Sequence, residues 1–122
     1  MPIVDIELVC ESESAFTAAS PRALADALGK VFGSEPGSTW VRMRLLNCAA
    51  YAENQSTLRG DELPAFVSVL ALRPPGGEAL AIEVRAVTEV VARCLARDPE
   101  RVHVQYAPAA IGRQAFGGKL VS

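Results

Sequence analysis

Two stretches of this chain repeat one order of local patterns, and that duplication limits the folds open to it. A strand-like run, a helical run and a second strand-like run come first; the same three recur after a long connection. Ile3-Val4-Asp5-Ile6 falls on Phe66-Val67-Ser68-Val69 at an offset of 63 residues, and Val41-Arg42-Met43-Arg44 falls on Val102-His103-Val104-Gln105 at 61. Each half, about residues 1–60 and 61–122, is then one βαβ unit with a right-handed crossover. Two such units in 122 residues predict a single α/β (α+β) domain, a four-stranded sheet with two helices on one face.

The elements follow from periodicity. From Pro2 to Val9 the residues alternate, with Pro2, Val4, Ile6 and Leu8 on one side of a strand. Glu11 to Ala19 is small and polar and reads as a connection. Ser20 is placed as an N-cap and Pro21 at the first helical position, with Leu24, Leu28, Val31 and Phe32 at helical spacing and Gly33 just past the end. Thr39 to Leu46 predicts a strand with Val41, Met43 and Leu45 facing one way and Trp40, Arg42 and Arg44 the other. Asn47 to Pro64 has no clear period and is long for a loop. Phe66 to Leu72 is apolar on both parities, as in a strand buried on both faces. A helix is predicted from Glu78 to Arg97, ended by Asp98-Pro99. Arg101 to Tyr106 is the fourth strand, with His103 and Gln105 sharing a face, and Ala107 to Ser122 is rich enough in glycine to close as a hairpin.

Two helices cover one face of such a sheet and leave the other to be covered. An apolar face of that size marks an interaction surface, and a closed homo-oligomer that packs sheet on sheet buries it. An obligate oligomer is therefore expected.

Composition excludes several classes of partner. Half the residues are apolar, 21% are charged and the net charge is −2, with no cluster of Lys and Arg, which argues against nucleic acid or a membrane surface as general partners. The run from Phe66 to Leu72 is too short to span a bilayer. Cys10, Cys48 and Cys94 are widely spaced without a Cys-x-x-Cys, and the first residues lack the positive and apolar regions of a secretory signal. These features set the expectation of a cytoplasmic protein with free thiols. One histidine does not make a zinc site.

Chemistry centres on the first residues. If Met1 is removed, Pro2 carries a free secondary amine at the edge of a sheet, held by a ring that fixes φ. An α-amine titrates near pH ~8, and partial burial and neighbouring arginines both lower that value toward a working base. Arginines grip a carboxylate in bidentate fashion and stabilise an enolate. The candidates are Arg42 and Arg44 on the second strand, Arg73 at the end of the third, His103 on the fourth and Arg113 in the tail. Tyr51 and Glu53 lie in the long loop, where a carboxylate could activate water; Tyr106 shares the apolar parity of its strand and is assigned to the core.

Met1-Pro2-Ile3-Val4, the duplicated unit, the Asp98-Pro99-Glu100-Arg101-Val102 junction and the glycine-rich tail together resemble the tautomerase superfamily. The junction and chain length look most like the macrophage migration inhibitory factor and 5-carboxymethyl-2-hydroxymuconate isomerase branches. Arg42 within Trp40-Val41-Arg42-Met43, and Phe116-Gly117-Gly118, look more like 4-oxalocrotonate tautomerase. The resemblance covers nearly the whole chain. It implies a homotrimer with pockets between subunits, no cofactor and no metal, and a cofactor-free tautomerase or isomerase of a small 2-oxo or 2-hydroxy-dienoic acid. Pro2 matches the family's catalytic base, Arg42 its substrate-polarising arginine, and His103 and Gln105 its polar pocket positions, with different residue types. Ser34 and Glu35 stand where the inhibitory-factor branch has a lysine. Two alternatives stay open: a hydratase or dehalogenase of unsaturated acids on the same fold, with Glu53 as the water-activating carboxylate, and a non-catalytic trimeric binding or signalling module.

Overall fold

The computed structural model describes residues 2–12 and 19–122. Met1 and most of the connection expected between Glu11 and Ala19 lie outside the described residues. Strands β1 (Pro2–Cys10), β2 (Trp40–Asn47), β3 (Ala65–Ala71) and β4 (Val102–Tyr106) form one sheet in the order β2-β1-β3-β4, and helices α1 (Ala19–Phe32) and α2 (Gly77–Leu95) link β1 to β2 and β3 to β4. Each half is a parallel βαβ unit, and the halves join antiparallel through β1 and β3, with Pro2 opposite Ala71 and Leu8 opposite Ala65. This is the duplicated architecture the repeat predicts. One correction concerns Pro2: β1 is an inner strand, so the proline sits at the end of the sheet and not along its side.

The core lies between one face of the sheet and the two helices. Val4, Ile6 and Leu8 of β1, Val67 and Val69 of β3, Leu24 and Leu28 of α1, and Val87 and Val91 of α2 are each at most 1% exposed. Strand residues two apart and helix residues four apart point the same way, so both periodicities deliver their apolar sets to one layer. Each such side chain contributes roughly 1.5–3 kcal/mol by leaving water.

Helix ends depart from expectation in detail. α1 already includes Ala19, so Ser20 and Pro21 lie inside its first turn, where proline is tolerated because that N–H has no intrahelical acceptor. Its end is as expected: Gly33 adopts φ +62°, and Ser34 N–H donates to Gly29 C=O at 2.9 Å. α2 stops at Leu95, ahead of Arg97, because Ala96 turns left-handed at φ 53° and Arg97 N–H reaches back to Ala92 C=O at 2.9 Å. Asp98 instead caps a short 3-10 turn, Pro99–Arg101, accepting from Glu100 N–H at 2.9 Å. A β-carbon in the left-handed region is strained, and glycine is not. Ala96→Gly is therefore expected to stabilise the protein by about 0.5–1 kcal/mol, read as a higher urea midpoint at unchanged slope.

The long loop contains two 3-10 turns, Cys48–Ala50 and Gly60–Glu62. The tail forms the expected hairpin, β5 (Ala115–Phe116) and β6 (Lys119–Leu120), turned by Gly117 and Gly118, both at positive φ. Backbone bonds from Ala107 to Val69, Ala110 to Ala71 and Ile111 to Leu72 carry the tail along β3, and Phe116 then meets Trp40 edge-on at 5.4 Å at the start of β2. The face of the sheet away from the helices stays open in the single chain. Arg42, Arg44, Phe66, Ser68, His103 and Gln105 are exposed on it, so the double-sided burial expected for β3 is absent within one copy. Cys10 is buried, Cys48 and Cys94 are half-buried, and all three are unpaired. No helix among the described residues is long and apolar enough to cross a membrane.

Candidate active site

Pro2 is buried at the end of β1 and closes one wall of a cleft of about 400 Å³. The connection after α1 and the connection after β3 build it. After α1, the left-handed Gly33 swings Ser34, Glu35 and Ser38 over the end of the sheet; after β3, Leu72, Arg73, Pro74 and Pro75 form the facing rim. Arg73 thus shares the cleft with Pro2, because the antiparallel pairing of β3 with β1 puts the end of one strand beside the start of the other. The same cleft contains Glu83 from α2, a residue the sequence did not single out.

Glu83 is held by Tyr106. The tyrosine points from β4 toward the helices, as its parity predicts, but it is more than filler: its hydroxyl donates to Glu83 Oε2. Burial, then the hydrogen bond to Glu83, push the phenol well above its ordinary range, so it remains a protonated donor at neutral pH. A half-buried phenol on an apolar parity requires an acceptor nearby. That requirement was the one clue in the sequence to a partner on α2.

The remaining candidates fall elsewhere in the single chain. Arg42 lies on the open face and grips Asp5 with both ends of its guanidinium, Nε to Oδ1 at 2.6 Å and Nη2 to Oδ2 at 2.8 Å. Arg44 lines the same shallow depression of about 160 Å³, with Glu7, Phe66 and Ser68. His103 packs on Phe66 at 5.5 Å between ring centres, and Gln105 lies opposite Ser68. Arg113 borders a separate depression of about 180 Å³ beside Leu70 and Ala110. Pro2 faces the helices and Asp5 the other side of the sheet, so within one copy none of these five joins Pro2. A larger depression, about 590 Å³ along α1, takes in Arg22, Asp26 and Lys30 and meets the Pro2 cleft at Gly33, Ser34 and Glu35.

Glu53 also lies away from Pro2. Its Oε2 accepts from the Tyr51 hydroxyl at 2.7 Å and from Arg101 Nη2 at 2.6 Å. Arg101 directly precedes Val102, which is level with Ala65 and Leu8, whereas Pro2 is level with Ala71. Six strand positions separate Pro2 from Leu8 along β1, about 20 Å. Among the described residues of one chain, the carboxylates in the cleft with Pro2 are Glu83 and Glu35.

The two ion pairs have a measurable pH signature. Arg42, by hydrogen bond and charge, holds the Asp5 carboxyl below its ordinary 3.8; the Tyr51 hydroxyl and then Arg101 do the same for Glu53. A folded-state value below the unfolded one contributes stability that is complete above the unfolded value and is lost as pH falls through the folded one. Urea unfolding between about pH 6 and pH 3 should therefore show stability falling with acid, and Asp5→Asn should flatten that fall.

No protein-family model matches the sequence, and no curated protein matches it significantly. Solved structures do match its fold. A macrophage migration inhibitory factor from Oncomelania hupensis superposes with a TM-score of 0.75 at 16% identity, over 98% of this chain and 81% of that one. A fused 4-OT, a symmetric trimer, gives 0.72 at 16% identity over 98% and 94%. A malonate semialdehyde decarboxylase, described with decarboxylase and hydratase activities, gives 0.68 at 16% over 94% and 90%. At such identities the likeness shows the fold, and it is the fold that the resemblance to the tautomerase superfamily implied.

Proposed function

We propose that this chain is a cofactor-free keto–enol tautomerase or isomerase of a small 2-oxo or 2-hydroxy-dienoic carboxylic acid, with Pro2 as general base once Met1 is removed. The observation that carries this reading is the cleft in which buried Pro2 and Arg73 meet, on a fold shared with proteins that include 4-OT. The chemistry needs a base, a cation and a small closed space. The substrate carboxylate pairs with the Arg73 guanidinium. The amine of Pro2 takes a proton from the carbon next to the carbonyl, Arg73 stabilises the charge that develops on oxygen, and the protonated amine returns the proton at the other end of the enol system. The base ends as it began and the substrate ends as its isomer, with the same atoms and the same oxidation level, so no cofactor is consumed.

The assembly proposed is a homotrimer. The open sheet face, and the trimeric state of the fused 4-OT, support it. In that assembly Arg42, Arg44, His103, Gln105 and Arg113 serve as substrate-binding residues at pockets between copies. A reducing cytoplasm suits the three unpaired thiols.

A second chemistry, addition of water to an unsaturated acid, is favoured by one observation: Glu83 lies in the cleft with Pro2, where a carboxylate activates water. Two measurements separate these readings from a non-catalytic binding module. Mass spectrometry of the natural protein tests for loss of Met1. Ketonisation of phenylenolpyruvate by wild type and Pro2→Ala then tests the base, and equal rates would exclude proline catalysis.

A further inference from the structure

The two walls of the Pro2 cleft owe their shape to different causes. On the side after β3, Pro74 and Pro75 stiffen the rim through their own rings. The wall after α1, where Ser34, Glu35 and Ser38 line the cleft, contains two glycines at positive φ, Gly33 at +62° and Gly37 at +79°. Glycine brings conformational freedom, so this wall depends on bonds to hold it. Glu35 to Ser38 has the signature of a type II turn: Pro36 and Gly37 take the central positions, and Ser38 N–H donates to Glu35 C=O at 3.0 Å. The Thr39 hydroxyl donates to Ser34 Oγ at 2.6 Å, and the Trp40 indole N–H donates to Gly37 C=O at 2.8 Å. Trp40 opens β2 and is itself met edge-on by Phe116 of the tail hairpin, at 5.4 Å between ring centres. We infer that Trp40, backed by Phe116, is a positioning residue: it fixes the turn that walls the Pro2 cleft, so the tail of the chain sets how tightly the cleft holds its substrate. That the substrate is a 2-oxo acid rests on the tautomerase reading above; the path from the tail to the wall does not.

Trp40 is 46% exposed, so it is not core filler, yet its N–H and its ring are both engaged. The hydrogen bond takes freedom from a glycine carbonyl, and the edge-on ring of Phe116 limits the directions the indole can turn. The hairpin that carries Phe116 is anchored in its turn. Gly112 N–H donates to Val121 C=O at 2.7 Å, Val121 N–H to Gln114 C=O at 2.9 Å, and Ala110 N–H to Ala71 C=O, at the end of β3, at 2.9 Å. All of these bonds lie within one copy, so cations that neighbouring copies bring to the pocket neither make nor break the path. Pro2 belongs to β1 and Arg73 follows β3, so neither is placed by this turn. Loosening the wall therefore weakens substrate binding and leaves the chemical step alone.

The test uses the processed full-length protein as wild type, Trp40→Phe, Phe116→Ala and Phe116→Tyr. Trp40→Phe keeps a ring and loses the N–H, and Phe116→Tyr keeps the ring edge. In phenylenolpyruvate ketonisation, Trp40→Phe and Phe116→Ala should each raise KM about threefold to tenfold, the worth of one hydrogen bond or one aromatic pair, with kcat little changed. Phe116→Tyr should keep the wild-type KM. Without any ligand, amide hydrogen exchange at Ser38 should quicken in the same two variants, while exchange at Val67 in the core of the sheet stays as in wild type. Unchanged KM and Ser38 exchange in Phe116→Ala, a loss that falls on kcat, or exchange that quickens equally at Val67 overturns the inference and leaves the tautomerase standing. Wild type that binds phenylpyruvate in calorimetry without turnover, with affinity lowered in Trp40→Phe and Phe116→Ala and kept in Phe116→Tyr, supports the inference and removes the tautomerase. Wild type that binds no such acid overturns it.

Discussion

Pro2→Ala, in protein that has lost Met1, is expected to slow phenylenolpyruvate ketonisation by about 10²- to 10⁴-fold, the usual contribution of a positioned general base. The loss should appear in kcat, because Arg73 remains to hold the carboxylate and KM changes little. Alanine still presents an amine, but a primary one on a backbone free to rotate; the pyrrolidine ring fixes the direction of the nitrogen. Protein that keeps Met1 should be as slow as the variant, since its Pro2 nitrogen is then an amide without basicity. The two inactive forms differ in cause and agree in outcome, so measuring both isolates the free imino nitrogen. A Pro2→Ala rate within threefold of wild type would remove Pro2 from the mechanism.

Arg97→Ala is expected to cost about 2–4 kcal/mol of stability, with little effect on catalysis below the melting transition. One half-buried guanidinium donates to three carbonyls from separate segments: Nε to Leu63 at 2.9 Å, Nη2 to Val9 at 2.9 Å and Nη1 to Leu95 at 3.4 Å. It ties the ends of β1 and α2 to the residues that lead into β3. Removing it leaves carbonyls without a donor where the packing gives water poor access, and such unmade bonds cost more than made ones contribute. Arg97→Lys should recover only part of the loss, because an ammonium has no planar fork to span three acceptors. Urea unfolding reads both variants. A change below about 0.5 kcal/mol would mean that solvent replaces the guanidinium at no cost.

Periodicity determined the fold. Alternation of Val4, Ile6 and Leu8, the four-residue spacing of Leu24 with Leu28 and Val87 with Val91, and the repeat itself carry the sheet and its helical layer. These are local patterns, and a chain with two matching βαβ halves has few other ways to bury them. Helix boundaries were less legible. The left-handed Ala96 ends α2 with a residue that announces no turn, and Ser20 looks like a cap while lying inside α1.

The site divides in the same way. Arg73 was visible in the sequence as a charge ending the third strand; that it shares a cleft with Pro2 came from the antiparallel pairing of β1 with β3, which brings the start of one strand to the end of the other. Arg42 looked like a pocket residue because its charge and strand position are visible in the sequence. Its partner was not: Asp5 is level with it only through the register of β1 and β2. Glu53 was drawn to Arg101 by the path of the long loop, and Glu83 was brought to Pro2 by the packing of α2 and its bond to Tyr106. Residue types and spacing thus determined which elements form and which faces they bury, because those depend on neighbours along the chain. Which carboxylate stands beside the proline was decided by tertiary structure alone, because contacts between residues far apart in sequence depend on strand register and helix packing.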